Sequence, residues 1–132
     1  MSEIRATTIS NSAGTGPISL TGQSAAKAWV NFNGTGTVAI RDSENVSSLT
    51  DNNTGLYTVN YTTSLSNDDY AVSGTAMGTF EGTTASNGRP ATVAPNLNQA
   101  YSTSATQLLI KDSADQRINS STVCVTIHGD LA

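Results

Sequence analysis

The chain's single histidine is the first residue to test for catalysis, and the sequence places no obvious partner beside it. His128 ends an alternating run, STVCVTIH, that also holds the single cysteine, Cys124. A Ser-His-Asp triad would need a serine and an aspartate near His128, and the chain has no Gly-x-Ser-x-Gly motif. We interpret His128 as a partly exposed strand histidine. The alternative is that a threefold assembly brings three copies around a metal ion or into a pH-sensitive contact.

Acidic residues form three close groups that are the other candidates for chemistry: Asp42 and Glu44, Asp68 and Asp69, and Asp112 and Asp115. Paired carboxylates can act in acid–base catalysis or bind calcium. No group has a further ligand at useful spacing, and the third lacks the Asp-x-Asp-x-Asp-Gly pattern of a calcium loop. Solvated strand ends and turns explain them better. The sequence therefore predicts no catalytic residues, no metal and no cofactor, and hence a protein that is not an enzyme.

Tyrosine rings are the remaining groups that could bind a ligand, by stacking on a sugar. Three of the four tyrosines fall at strand spacing and are better explained as core or half-core residues. Tyr101 is the exception, because it ends an irregular polar segment and is the tyrosine that an exposed binding site would use. Cys124 alternates with apolar residues and is predicted to be a small buried hydrophobe.

Composition indicates the elements that must hold these residues. Thr, Ser, Asn and Gly make up 60 of the 132 residues, which favours an all-β protein with many short turns. Leu, Ile, Val and Phe contribute only 25, so the core is thin and partner subunits would help to bury apolar surface. The net charge of −4, with six scattered Lys and Arg residues, argues against a nucleic-acid partner. The sequence lacks a signal peptide and an apolar membrane span, so we expect a protein made in a host cytoplasm and not secreted.

Period-two patterns and turn residues predict the strands. AWVNF and TVAIR flank NGTG, and NVSSLT and GLYTVNYTT flank DNNTG, so each pair reads as a hairpin. In the YAVSGTA segment, Gly74 is interpreted as the mark of a bulge. We predict one β-sandwich-like, jelly-roll-like domain over residues 23–132, with an irregular loop over 81–102 and an extended N-terminal arm over 1–22. The arm's apolar residues are candidates for attachment by strand exchange: Ile4, Ile9, Ile18 and Leu20.

The segment from Gln23 to Ala76 carries a family resemblance. KAWVNF, GTGTV, IRDS, NVSS, TDN, TG, Y-VN and YAV occur in this order. In this pattern the chain resembles a module of tail-fibre and related virion structural proteins of tailed bacteriophages, especially marine and cyanobacterial ones. It departs from the family at Glu44, where an aromatic is common, and at Leu56, where an Asp is common. Both positions are expected at the surface of the hairpins.

The resemblance implies a virion structural protein, most simply a homotrimeric tail-fibre or tail-tip component that contacts a bacterial surface glycan or protein. The candidate receptor contacts are Asn87, Arg89, Asn96 and Tyr101. The candidate core or trimer-interface residues are Trp29, Phe32, Tyr57, Val59 and Tyr61. The alternative is a capsid decoration protein, head fibre or adaptor with a purely structural role, favoured by a short arm that would bind other virion proteins. A glycan-degrading enzyme is a third class, for which no convincing carboxylate pair is visible.

Overall fold

The protein is described here by a computed structural model, which covers residues 25–81, 91–96 and 101–130, with the backbone alone for residues 78–81. Eight strands are present in these ranges: β1 Ala28–Asn33, β2 Ala39–Glu44, β3 Val46–Asn53, β4 Leu56–Tyr61, β5 Ala71–Glu81, β6 Ala91–Pro95, β7 Ala105–Asp112 and β8 Asn119–His128. They form one sheet in the order β2-β1-β8-β5-β6-β7-β4-β3, and every neighbouring pair is antiparallel. The predicted all-β class is confirmed.

Both predicted hairpins are confirmed, and glycines shape their turns. β1 and β2 are joined across the NGTG segment, where Gly36 has a φ of 59°. β3 and β4 are joined by Thr54 and Gly55, and Gly55 has a φ of 64°. Such left-handed backbone is open to glycine at little steric cost. These turns fix the register that puts one face of each strand inward.

The core lies where the sheet folds back on itself. Phe32 of β1 and Tyr57 of β4 pack edge to face with their ring centroids 5.1 Å apart, although their strands are not neighbours in the sheet. Inward residues alternate along β1, β4, β7 and β8, as the period-two patterns predict. The buried apolar side chains are Ala28, Val30, Phe32, Tyr57, Val59, Tyr61, Leu65, Tyr70, Leu108, Ile110, Ile118, Val123, Val125 and Ile127.

Four of the five core candidates therefore lie in the core. Phe32, Tyr57 and Val59 are fully buried, and Tyr61 is nearly so. Trp29 has the opposite orientation, with Asn31, on the outer face of β1, where it is half-buried. It is not part of the core within the chain, and a contact of Trp29 with a second subunit stays a prediction.

The two edge strands of the sheet are consecutive in the chain. β2 ends at Glu44 and β3 begins at Val46, so Asn45 alone connects them. Asn45 has a φ of 55°, a left-handed conformation that asparagine tolerates better than most residues. This one residue brings the two ends of the folded sheet together.

The prediction of an irregular loop over 81–102 is wrong in its middle. β6 occupies Ala91–Pro95 and pairs with β7 from Ala91 to Pro95 and with β5 at Thr92 and Ala91. The strand is only five residues long, and Ala and Pro gave it a weak period-two signal. Neighbouring strands on both sides supply the pairing that the local sequence does not specify. Pro95 falls at the end of the strand, where a missing N–H costs little.

One position on β5 and one on β8 also differ from expectation. The register of β5 against β8 runs without interruption through Gly74, so there is no bulge there. A Cβ at Gly74 would instead stand 2.8 Å from the carbonyl oxygen of Cys124, so close backbone approach explains the glycine. Cys124 is half-buried on the outer face, not buried in the core, because the inward phase of β8 falls on Val123 and Val125.

Several predicted residues fall outside the described ranges. The arm residues Ile4, Ile9, Ile18 and Leu20 and the candidate contacts Asn87 and Arg89 are among them. In the ranges that are described, no helix has the length and apolar character needed to cross a membrane.

Candidate functional site

The candidate contact residue Tyr101 stands at the surface on top of a second tyrosine. Its ring is tilted by 41° to the ring of Tyr70, with centroids 4.7 Å apart, and its side chain is 39% exposed. Tyr70 packs in turn against Tyr61 at 6.3 Å, edge to face. The three rings form a column, the tyrosine column, that runs from the core at Tyr61 to the surface at Tyr101. Stacked and edge-to-face rings of this kind stabilise one another beyond their buried area.

Thr106 of β7 fixes the buried part of the tyrosine column. Its Oγ1 hydrogen-bonds the hydroxyl of Tyr61 and lies 2.6 Å from the hydroxyl of Tyr70. The Tyr70 hydroxyl also lies 3.1 Å from the carbonyl oxygen of Ser102 and 3.3 Å from that of Ala105. These contacts tie the column to the chain that leads from Tyr101 into β7, so the exposed ring rests on a rigid base.

Burial changes the acidity of the innermost tyrosine. Desolvation raises the pKa of Tyr61 well above its usual value, and the hydrogen bond with Thr106 opposes this only in part. A phenol that stays neutral keeps its hydrogen-bonding role at Thr106 over the whole physiological pH range. The tyrosine column is therefore a structural support, and its outermost ring is the part that can meet a ligand.

The sequence did not reveal Tyr70 and Thr106 as the support of Tyr101. One signal was available: Thr106 occupies the inward phase of β7, shared with Leu108 and Ile110. A hydroxyl at an inward position predicts a buried hydrogen-bond partner, because burial without one is costly. Which partner it would meet depends on strands distant in the sequence.

Asn96, another candidate contact, is not available at the surface. It is 8% exposed, and its Nδ2 donates to Oε1 of Gln107 at 2.5 Å. Its backbone N–H donates to the carbonyl of Gln107 at 2.9 Å. These bonds attach the end of β6 to β7, which is a structural role. Of the four candidate contacts, Tyr101 is the described one that presents its side chain to solvent.

The candidate catalytic residues do not form a site: His128 stands at a strand end, and Asp112 and Asp115 are bonded to other groups of the protein. His128 is exposed at the end of β8, as the sequence predicts. Asp112 is buried, and its Oδ1 accepts the N–H groups of Ala114 and Gln116 in the turn before β8. Asp115 pairs with Lys111 at 2.7 Å. Over the described ranges, no three His, Cys, Asp or Glu side chains lie close enough to hold a metal ion.

Comparison of the chain with family models, with curated proteins and with solved structures gives no match.

Proposed function

We propose that this chain is a structural protein of a tailed-bacteriophage virion, a tail-fibre or tail-tip component that contacts the host surface. The resemblance over Gln23 to Ala76 carries the proposal. It is supported by the structural roles of residues in the pattern, which form a strand connection, a turn and a buried hydrogen bond. Asn45 connects the two sheet edges, and Gly55 forms the β3–β4 turn. Tyr57 places its buried hydroxyl 2.7 Å from the carbonyl oxygen of Gly34.

The contact with the host is assigned to the surface around Tyr101. A tyrosine is an amphipathic ring that offers a large contact area and a hydroxyl at a low cost in side-chain entropy. Its ring packs on Tyr70, which Thr106 fixes by a hydrogen bond, so the ring is supported before any ligand arrives and the entropic cost of binding is lower. A bacterial surface glycan or protein is the partner of this contact.

We further propose that the chain assembles as a homotrimer. Its low content of large aliphatic residues gives a thin core, and contact between subunits would bury further apolar surface. Sedimentation equilibrium of the purified chain at several concentrations tests this directly. A trimer mass independent of loading concentration is expected. A monomer at all concentrations would contradict it.

Electron cryomicroscopy of the phage that encodes this chain tests the location. Antibody fragments raised against the purified protein should decorate the distal end of the tail. Decoration of the capsid lattice would contradict the tail assignment and support a decoration or head-fibre role. Absence of the chain from purified virions, measured by mass spectrometry, would contradict both the tail assignment and the decoration or head-fibre role.

A further inference from the structure

A groove crosses the outer face of three adjacent strands, β1, β8 and β5. It has a volume of about 460 Å³. Its side walls come from outward positions of β1, β8 and β5, and its floor includes backbone of inward residues. The lining residues are Trp29, Val30, Asn31, Ser73, Gly74, Thr75, Cys124, Val125 and Thr126. We call it the Trp29 groove.

Strand register arranges the side chains of the groove in two rows. Trp29 of β1 lies opposite Thr126 of β8, which lies opposite Ser73 of β5. In the next row, Asn31 lies opposite Cys124, which lies opposite Thr75. Directly opposed residues in antiparallel strands have Cβ atoms about 4.5–5.5 Å apart. The indole therefore forms one end of a short channel that crosses three paired strands and has hydroxyl and amide groups along it.

Hydrogen-bonding groups in the groove are only partly used by the protein. The hydroxyls of Ser73 and Thr126 lie 2.8 Å apart and bond each other. Asn31 accepts from the guanidinium of Arg41 through its Oδ1 at 3.2 Å, which leaves its Nδ2 as a donor. Within the described part of the chain, neither that Nδ2, nor Nε1 of Trp29, nor Oγ1 of Thr75 has a hydrogen-bond partner. A ligand would meet these three groups without displacing a protein contact.

Charge narrows the class of ligand. All nine lining residues are uncharged. Arg41, a cation beside the groove, is held by Asn31 and by the carbonyl oxygens of Phe32 and Ser121. An anionic ligand such as a phosphate would find no cation among the lining residues to pair with. The lining suits an uncharged ligand that has an apolar face and several hydroxyls.

We propose that the Trp29 groove binds an uncharged saccharide unit, which stacks on the indole of Trp29 and hydrogen-bonds Asn31 and Thr75. A sugar ring presents C–H groups on its face and hydroxyls around its rim, and both are complemented here. The volume falls within the roughly 300–1,000 Å³ of small-molecule sites. β1, β8 and β5 each pair with a neighbouring strand on both sides, so the backbone that carries the lining residues is held in place before a ligand binds. The inference does not rest on the proposed virion function, because it concerns another surface and another measurement.

A second copy of the chain suits this groove less well. Val30 and Val125 direct their side chains into the core and are almost fully buried, which leaves Trp29 as the one large apolar side chain of the lining that faces outward. The cores of stable subunit interfaces are apolar and extensive. A single half-buried indole among hydroxyls and an amide is closer to the composition of a sugar site.

Because Trp29 is the single tryptophan, its fluorescence reports on the groove directly. The full chain is titrated with the methyl glycosides of glucose, galactose, mannose and N-acetylglucosamine, with glucuronate and glucosamine as charged comparisons. We expect a saturable change in Trp29 emission with at least one uncharged sugar and a weaker change with its charged analogue. Saturation-transfer NMR should show transfer to the C–H protons of the bound sugar.

Variants locate the binding. Thr75→Val removes one hydroxyl at nearly constant volume and should weaken binding roughly 3–10-fold, as expected for one lost hydrogen bond. Trp29→Ala should abolish saturation transfer. Thr50→Val is the matched control, since Thr50 is an exposed threonine on β3 that does not line the groove, and this variant should leave binding unchanged. Circular dichroism establishes that each variant is folded.

Four results would overturn the proposal. One is the lack of a saturable response to any sugar of the panel by the folded wild-type chain. Another is equal binding by Thr75→Val and wild type. A third is tighter binding of the charged analogues. The last is a Trp29 emission that shifts with protein concentration alone, which would assign the groove to a contact between copies of the chain.

Discussion

Asn45 and Thr63 hold each other through two hydrogen bonds that imitate a backbone ladder. Nδ2 of Asn45 donates to the carbonyl oxygen of Thr63 at 3.0 Å, and the N–H of Thr63 donates to Oδ1 of Asn45 at 2.7 Å. The same Nδ2 reaches the carbonyl oxygen of Lys27 at 3.1 Å. One side chain thus joins the β2–β3 connection to the start of β1 and to the chain that leaves β4.

Two replacements of Asn45 should separate the stability that comes from its side-chain hydrogen bonds from the stability that comes from its tolerance of a left-handed backbone. Asn45→Ala loses the side-chain hydrogen bonds and also strains the backbone at a φ of 55°, so we expect a loss of about 2–3 kcal/mol in the free energy of unfolding. Asn45→Gly loses the same bonds but accepts the φ, so a loss of about 1–2 kcal/mol is expected. Urea denaturation of the three proteins measures both. Equal stabilities of the alanine and glycine variants would show that the left-handed conformation carries no cost.

The Asn45 connection also shows where sequence reasoning stops. The NGTG and DNNTG turns were identifiable because glycine and asparagine cluster between apolar strands. Between β2 and β3 there is no such cluster, and RDSENVSS reads as one polar stretch. A single left-handed residue has no composition signal of its own. Its role comes from contacts with Lys27 and Thr63, which only the folded sheet brings near.

Gly55 and Gly36 form a matched pair that separates crowding from backbone strain. Both have a φ near 60°. A Cβ at Gly55 would stand 2.5 Å from the carbonyl oxygen of Ile110 and 2.9 Å from the backbone of Ile118, whereas a Cβ at Gly36 would have nothing within 4 Å. Gly55→Ala should therefore cost at least about 3 kcal/mol or prevent folding, and Gly36→Ala only about 1 kcal/mol.

Thermal unfolding followed by circular dichroism ranks the two glycine variants. Because the φ angles are alike, any difference between them measures the crowding between Gly55 and the chain around Ile110 and Ile118. If Gly36→Ala is as unstable as Gly55→Ala, the packing of the β3–β4 turn against that segment is not as described.

Tyr61 should make the protein less stable in alkaline solution. Its folded pKa is raised by burial above the value of about 10 that applies in the unfolded chain. The unfolded chain therefore loses this proton first, and the stabilisation present below about pH 10 is lost as the pH rises further. The free energy of unfolding should fall by up to about 1.4 kcal/mol per pH unit in that range.

Urea denaturation at a series of pH values from about 8 to 11 measures this slope. Tyr61→Phe should remove most of the decline and also lower the stability at neutral pH, since Thr106 loses a hydrogen-bond partner. A slope identical in wild type and Tyr61→Phe would assign the alkaline effect to other groups.

Tyr101→Ala should reduce binding of the purified protein to host cells while changing the free energy of unfolding by less than about 1 kcal/mol, because the ring is 39% exposed. Tyr101→Phe, which keeps the ring and its contact with Tyr70, should retain most of the binding if stacking dominates. Met77→Ala is the control, since Met77 is 57% exposed and apolar but lies on β5. Cell binding by labelled protein measures all three, and unchanged binding by Tyr101→Ala would remove Tyr101 from the contact.

The inward and outward faces of the strands were predictable where apolar residues alternate strictly. Tyr57, Val59 and Tyr61 on β4 are the clearest case, and all three are buried. β6 was missed because Ala91 to Pro95 is short and its pairing partners specify it. The Trp29 groove was not foreseeable, since Trp29, Thr75 and Cys124 meet only through the β1–β8–β5 pairing. Local patterns define which face a residue takes, whereas neighbours across strands depend on topology.

The central place of β8 has a consequence for how the protein is made. β8 pairs with β1 on one side and with β5 on the other, yet it follows both in the chain. A nascent chain that has not yet passed Asn119 has no strand to place between them, and the apolar faces of β1 and β5 stay uncovered. Pairings so distant in sequence form slowly, and exposed strands invite association with other chains. On the ribosome, the sheet should therefore close after translation of β8, with the earlier hairpins waiting in an incomplete state.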